Sequence, residues 1–563
     1  MKKIVLISFV FLFSLTNSKA SHVAGGEITW QCLDDGRYLF YLNFYRDCSG
    51  INQTYIQEDI TISGFPLPSA GLNRIIMYPD SVPWSMNSNG QIPSNCNLPP
   101  FSQFSCRNLA QGLLEFYSYR SDTITLTGVP PPTGWKFDYM STCCYPGKMN
   151  TNSISYLNFR SIMYPNINGD SVNTCFDSSP TFAELPSYIF CRGQLSTVNH
   201  FATDVDGDSL TYEQVSTYGS SSSRNSNSRT PIVYSSGYSQ VSPTPDQSFN
   251  SNNLPYTLNN QTGDISFKVV NGTGAAQYTT NTLITAWRNG VRIASISRAI
   301  PITILDCDTI ANGKANNPPY LEPPFPNNLT NPFHGVVTAG SSINVSVVVR
   351  DSNSNFFATN PQSFNIVPLS GSLSRDLINP RNCLNPNDTS CAVFSFAPSI
   401  DSSVFPSVNY YLSYSSGLLN LNWNTDCNHL NRDGSARTHY FLIKATDNHC
   451  PVPAMAYKTI SITVIPPVGG CNLATKVIDR INGKNGQIQV FPNPSDGLFY
   501  LSGLSQEEIY FMEIRNIQGQ LVQQQQFTNQ SNLELEIKGK AGVYFVQLTN
   551  EKGERANLKV VKR

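Results

Sequence analysis

The chain has 563 residues, of which 13% are charged, and a formal net charge of −1. An average soluble protein is roughly 25% charged, so here the polar surface must come from Ser, Asn, Thr and Tyr. A balance this weak and mixed argues against nucleic acid or an anionic membrane as the partner.

Met1 to Ala20 reads as a secretory signal: Lys2-Lys3, an apolar core Ile4 to Leu15, and Ser18-Lys19-Ala20 as a small-residue cut site. The 12-residue core is too short to span a bilayer as a helix. The residue directly after the cut is Ser21 and not Cys, so the signal is not of the lipoprotein type. No later run is apolar for long enough to cross a membrane, so the mature chain is expected to begin near Ser21, soluble or surface-attached. Without the three leader lysines it carries 34 basic residues against 38 acidic, a net charge of −4.

All 14 cysteines follow the cut: Cys32, Cys48, Cys96, Cys106, Cys143, Cys144, Cys175, Cys191, Cys307, Cys383, Cys391, Cys427, Cys450 and Cys471. An even count in an exported chain favours disulfides. Adjacent Cys143 and Cys144 are expected to bridge different strands. Cys383 with Cys391, and Cys427 with Cys450, are local candidates. With no Cys-x-x-Cys and only scattered histidines, a tetrahedral zinc site is poorly supported.

Residues 21–187 read as an N-terminal β-domain. Glu27 to Cys32, the turn Asp34-Asp35-Gly36 and Tyr38 to Tyr45 make a hairpin with aromatics on both faces. Further strands are expected at Asp59–Ile62, Leu114–Tyr119, Thr123–Leu126 and Ile154–Phe159. The opening Ser21-His22-Val23-Ala24-Gly25-Gly26-Glu27-Ile28-Thr29-Trp30, with Phe44-Tyr45-Arg46-Asp47-Cys48, resembles the N-terminal region of large secreted Bacteroidetes surface proteins, many labelled gliding-motility-associated.

Residues 188–310 and 318–466 read as two copies of one Ig- or cadherin-like module. In the first, Phe201 to Tyr212, the turn Thr262-Gly263-Asp264, Leu283 to Trp287 and a closing strand Ala299 to Leu305 follow in order. In the second, Val345 to Asp351, Ser416 to Leu421, Tyr440 to Thr446 and Ile460 to Ile465 take the same places. Asn316-Asn317-Pro318-Pro319 and the stretch 467–484 read as linkers.

One constellation carries a mechanism. In Asp204-Val205-Asp206-Gly207-Asp208 three carboxylates repel one another unless a hard cation sits between them, and Gly207 permits the turn that converges their oxygens. Calcium takes six to eight such oxygens at about 2.3–2.6 Å, so Asp204, Asp206 and Asp208 are a calcium half-site. The alternative is an acidic turn in which Asp204 caps local amides. Aligning the copies sets Asp351, Asn353 and Asn355 opposite them, a weaker second site that Asp447 would assist.

Catalytic signatures are absent: no His-Glu-x-x-His, no Gly-x-Ser-x-Gly, no phosphate-binding glycine loop. The chain is therefore expected not to be an enzyme. A carboxylate pair assembled only by the fold leaves no sequence trace, so a secreted hydrolase stays an alternative. Abundant Tyr offers stacking surfaces for glycan or protein ligands.

Residues 485–563 read as a small sandwich of short alternating strands, with Leu533-Glu534-Leu535-Glu536-Ile537 placing aliphatics on one face. Its turns hold Pro492-Asn493-Pro494-Ser495-Asp496-Gly497, Gly519, and Ala541-Gly542-Val543-Tyr544, ahead of a basic end Lys559, Lys562 and Arg563. These motifs, in this order, resemble the type A C-terminal sorting domain of type IX secretion cargo in Bacteroidetes. The resemblance implies partnership with that machinery through Pro492, Asn493, Pro494, Gly497, Gly519, Gly542 and Tyr544. It also implies export across the outer membrane, and release or attachment to surface lipopolysaccharide. The whole chain is expected to be all-β, a multidomain array of β-sandwich modules acting as a structural or adhesive surface protein. Glycan binding is the second reading.

Overall fold

The structure is a computed structural model. It describes residues 23–33, 36–48, 56–69, 71–80, 84–85, 114–141, 145, 147–154, 156–165, 176–222, 224, 229–288, 290–307, 316–351, 363–369, 392–397, 411–413, 416–430, 434–449, 452–468, 470, 488–502, 504, 509–517, 520–528, 532–550 and 555–563. Two compact units result, Met1–Pro467 and Val468–Arg563. Both are built from strands.

In the first unit, Val23–Cys32, Tyr38–Asp47, Leu114–Ser121, Arg74–Pro79, Glu58–Ser63, Trp135–Met140 and Tyr156–Met163 pair in that order. The last of these bonds to Val291–Leu305, which also meets Val23–Cys32 at Gly26 and Ala299. The ladder thus returns to itself. Its interior is aromatic: Trp30, Phe40, Phe44, Tyr119, Phe137, Tyr139 and Phe159 are buried. Phe40 and Phe137 lie 4.7 Å apart, and Phe44 stacks on Tyr117 at 4.9 Å. Tyr38, Phe40, Leu42 and Phe44 supply the fully buried face of their strand, while Leu39, Tyr41 and Asn43 are half-buried. Two glycines let the ladder close. A Cβ on Gly25 would stand 2.2 Å from the Ala299 carbonyl oxygen, and one on Gly26 would meet the Phe159 ring at 2.6 Å.

Val291–Leu305 is the last strand of the first repeat, so residues 21–187 and 188–310 share one sheet across the boundary expected from sequence. That repeat opens with Thr181–Phe182, also before residue 188. The two repeats have matching topology. Opening strands Thr181–Phe182 and Tyr320–Leu321 pair antiparallel with Ala202–Thr203 and Ser342–Arg350. Ile189–Cys191 and His334–Thr338 pair parallel with Val291–Leu305 and Met455–Ile465. Hairpins Ala276–Arg288 with Val291–Leu305, and Arg437–Asp447 with Met455–Ile465, complete the second sheets. Parallel strands on a closing strand cannot come from a simple hairpin meander; both repeats are therefore two-sheet sandwiches of Ig type.

The repeats share a core. Phe190, Val198, Phe201, Ile265 and Phe267 of the first pack with Leu442, Met455 and Tyr457 of the second. Tyr457 meets Phe201 edge-on at 5.3 Å and its hydroxyl bonds Ser187 Oγ at 2.5 Å. Lys444 pairs with Glu184 at 2.8 Å, and Thr459 Oγ1 donates to Asp264 at 2.7 Å. Cys191 and Cys307 are disulfide-bonded across a sequence separation of 116. Cys32, Cys48 and Cys427 are also in disulfides, and no cysteine among the described residues is free. The other cysteines expected to pair, Cys96, Cys106, Cys143, Cys144, Cys175, Cys383, Cys391, Cys450 and Cys471, lie outside the described residues.

The second unit is a sandwich. Gln489–Phe491, Leu498–Ser502 and Asn532–Glu536 form one sheet; Leu521–Thr528, Ile509–Asn516, Gly542–Asn550 and Arg555–Lys562 form the other. Phe499, Leu501, Met512, Ile514, Leu533, Leu535, Val546 and Leu548 fill it. The expected alternation in Leu533 to Ile537 holds, with Leu533, Leu535 and Ile537 buried.

Candidate functional site

In the C-terminal unit the turn Pro492–Gly497 runs beside the last strand. Prolines at 492 and 494 have no N–H to give a neighbouring strand. Asn493 supplies the pairing through its side chain instead: Nδ2 donates to the Lys559 carbonyl at 2.7 Å, and Oδ1 accepts from the Val561 amide at 2.9 Å. Two residues on, Ser495 continues with backbone bonds, its N–H to the Val561 carbonyl at 3.0 Å and its carbonyl from the Arg563 amide at 2.9 Å. Gly497 lies against Lys562, where a Cβ would stand 2.9 Å from Cε, and Lys562 Nζ donates to the Ile537 carbonyl at 2.8 Å. The Gly497 φ of +119° is one that L side chains rarely adopt. Gly542 opens its strand, and the Tyr544 hydroxyl donates to the Lys540 carbonyl at 2.6 Å. Gly519 lies outside the described residues.

In the body, Asp204, Asp206 and Asp208 come together, and the structure adds two residues that the sequence did not flag, Asp177 and Arg288. Asp204 Oδ1 accepts from the amides of Asp206 at 3.0 Å and Asp208 at 3.1 Å. The Arg288 guanidinium donates to both oxygens of Asp208, at 2.8 and 2.7 Å, and to Asp177 at 2.7 Å, with Asp206 at 3.8 Å. A cation therefore already stands among these carboxylates, covalently part of the chain. Burial pushes Asp177 well above the carboxylate range, reinforced by the charge of Asp204; burial does the same to Asp204, reinforced by Asp208 and Asp206. Buried like charges are relieved by holding protons; Asp177 Oδ2 and Asp204 Oδ2 both lie buried without a hydrogen-bond partner. Burial opposes the Arg288 charge, but its bonds to Asp208 and the charges of Asp177, Asp208 and Asp206 outweigh that, and its pKa rises. The side chains fit a guanidinium at their centre, and that arrangement does not fit calcium in the same place. Among the described residues no group of three or more His, Cys, Asp or Glu side chains is disposed to hold a metal.

The second repeat holds the same three positions with different charges. Thr181 pairs with Thr203, next to Asp204, and Tyr320 pairs with Arg350, next to Asp351. Asp177 and Asn316 each lie four residues before those opening strands, and Arg288 and Asp447 each end the strand before the closing one. Asn316 Nδ2 donates to Asp447 Oδ2 at 2.6 Å, and the amides of His449 and Ala454 donate to its Oδ1 at 3.0 and 2.7 Å. Burial, with the charge of Asp351 adding to it, pushes Asp447 up to about 7. Asp351 and Asp447 are thus brought together, with Asn316 as the third member.

A cavity of about 360 Å³ lies between the N-terminal strands and the first repeat, lined by Glu27, Tyr41, Phe116, Phe182, Glu184 and Arg298 among others. Glu27 is buried and pairs with Arg298 at 3.4 Å, with the Tyr45 hydroxyl at 2.8 Å from Oε2. Burial raises the Glu27 pKa against the pull of Arg298. The Arg298 guanidinium lies 3.8 Å from the centre of the Phe182 ring. His200 and His439 are buried, and burial lowers both to about 3.

Residues 489–563 match the family described as Secretion system C-terminal sorting domain. The C-terminal unit is a secretion-system sorting domain, and the match supports the expected type IX route. The clasp of Asn493, Ser495 and Gly497 on the last strand is thus part of a sorting domain, and the protein is secreted or displayed at the cell surface. No helix among the described residues is long and apolar enough to cross a membrane. None of the curated proteins matches the chain. Solved structures similar to parts of it include titin domains A168–A170, at 10% identity over 68% of this chain and 99% of that one, with TM-score 0.14. Zebrafish RET cadherin-like domains 1 to 4 are 11% identical over 68% and 73%, with TM-score 0.13. Dpr2 Ig1-Ig2 in complex with DIP-Theta Ig1-Ig3 is 9% identical over 51% and 98%, with TM-score 0.18. The sandwich architecture of the body rests on its sheet orders.

Proposed function

We propose that the mature chain is a non-catalytic structural or adhesive protein of the cell surface, carried there by its sorting domain. The supporting observation is how the ionisable groups of the body are engaged. Asp177 and Asp208 face Arg288, Glu27 faces Arg298, Glu184 faces Lys444, and His200 and His439 are held neutral by burial. A general acid or base needs a proton it can exchange near the working pH; these groups are fixed by partners or desolvation, and Asp447, the one pushed up to about 7, is enclosed by Asn316 and the amides of His449 and Ala454. What remains is a stiff body whose loops are free to bind. In this reading Arg288 stands in for the calcium expected at Asp204, Asp206 and Asp208, and attachment to surface lipopolysaccharide follows removal of the sorting domain.

Two experiments test the proposal. Removing residues 485–563 should leave the protein in the periplasm, and unchanged secretion would refute the route. Cells lacking the whole chain should lose attachment to a host or matrix surface, and the purified chain should turn over no glycoside, ester or peptide substrate. A second reading, glycan binding, is favoured by the cavity where half-buried Tyr41, Phe116 and Phe182 surround the Arg298–Glu27 pair, since sugar rings stack on such faces. It predicts that Phe182→Ala weakens retention of soluble polysaccharide; retention equal to the unaltered chain would remove it.

A further inference from the structure

The sorting motifs lie at opposite ends of the C-terminal unit in sequence, yet the fold places them in one spot. The Lys559 carbonyl and the Val561 amide flank Val560; they are the two groups that a parallel neighbouring strand would engage. Asn493 takes both with one side-chain amide, at 2.7 and 2.9 Å. Ser495 then makes a true parallel bridge opposite Lys562. Asn493, Ser495 and Gly497 are alternate residues, so all three face the last strand; Ser495 and Gly497 are buried, while Asn493 at the rim and the intervening Pro494 and Asp496 are exposed.

We propose that the turn Pro492–Gly497 and the last residues Lys559–Arg563 form one composite surface read by the export machinery, and that Asn493 is the positioning residue that holds the C-terminal strand in register for it. The proposal rests on the sorting-domain reading and deepens it. The carboxamide is the side chain that fits: it offers one donor and one acceptor at the spacing of a peptide group. Asp lacks the donor to Lys559, and Ala lacks both groups. The cationic end of the strand, with Lys559 and Arg563 exposed, suits an acidic receptor face.

The test uses the full chain. Asn493→Ala should raise amide exchange at Val561 roughly tenfold or more, as expected for two lost hydrogen bonds, and cut the exported fraction severalfold. Asn493→Asp should fall between Ala and the unaltered chain in exchange. Leu535→Ala is the control: Leu535 is 1% exposed in the core, so this change weakens the unit without touching the clasp. If Leu535→Ala loses export as fully as Asn493→Ala at matched stability, the positioning role is overturned. If exchange at Val561 rises while export stays unchanged, the composite surface is overturned but the sorting reading stands. If deleting residues 489–563 leaves export intact, the sorting reading itself fails. Unchanged exchange in Asn493→Ala overturns the clasp.

Discussion

Arg288 gives the sharpest prediction. Replacing it by Met keeps the length of the side chain and removes the charge. Asp177 then lies buried with its ion-pair partner gone, and Asp208, whose side chain is 4% exposed, loses both of its bonds to the guanidinium. Breaking a buried pair by removing one partner costs about 3–5 kcal/mol, which in a body of this size lowers the melting midpoint by roughly 4 °C. The loss should depend on pH with a definite sign. Asp177 and Asp204 have raised pKa values in the fold, so their protonated forms favour it. Their contribution is present at low pH and lost as pH rises. Arg288→Met should therefore be more damaging near pH 8 than near pH 5. Calorimetry at both values, with and without calcium, is the assay. Added calcium should recover part of the loss in Arg288→Met, because four carboxylates without a guanidinium are a plain oxygen cage. The unaltered chain should ignore a chelator. A loss below about 1 kcal/mol, the scale of a surface pair, would refute the reasoning, as would a chelator-induced drop in the unaltered chain.

Three further outcomes follow from the geometry. Asp447→Asn should flatten the pH dependence of the second repeat: with Asp447 pushed up to about 7, the unaltered chain loses roughly 4 kcal/mol at most as pH rises from about 4 through 7, and denaturant titration across that range reads the difference. Tyr457→Ala removes the ring against Phe201 and the bond to Ser187; it should cost about 3–5 kcal/mol and split one calorimetric transition of the body into two, whereas a single unshifted transition would show that the shared core does not couple the repeats. Replacing Cys191 and Cys307 by Ala opens a loop of 116 residues and should cost about 4–5 kcal/mol on the chain-entropy account, measured as a lowered denaturant midpoint.

Much of this was legible because strand periodicity is local. Leu533 to Ile537 announces its buried face, and the hairpin Tyr38–Asp47 its aromatic one. Leu521–Thr528 is not legible in the sequence because four successive glutamines carry no alternation; it is an edge strand held by its neighbour Ile509–Asn516. The fusion of residues 21–187 onto the first repeat was invisible for a different reason. It depends on Gly26 meeting Ala299, a pairing across more than half of the body, and a glycine has no side chain to advertise its partner. The acidic turn was legible as a charge problem but not in its solution. Asp204, Asp206 and Asp208 are adjacent in sequence, whereas Arg288 reaches them only because Ala276–Arg288 pairs with Ser209–Gln214.

The repeat itself held the missing signal. Setting Thr181 against Tyr320 brings Asp177 opposite Asn316, Asp204 opposite Asp351 and Arg288 opposite Asp447. The strands that carry or flank these places pair in the same way in both repeats, whatever charges stand there. The charges are thus free to vary so long as each set is neutralised locally. The first repeat does so with a guanidinium. The second has no arginine at that position; instead an amide from Asn316 and two backbone amides meet Asp447, whose raised pKa leaves it part-protonated near neutral pH. An exchange of Arg288 for Asp in the first repeat should therefore fold only at low pH or with an added cation. If that variant kept full stability near pH 8 without metal, local neutralisation would not be what these positions are for.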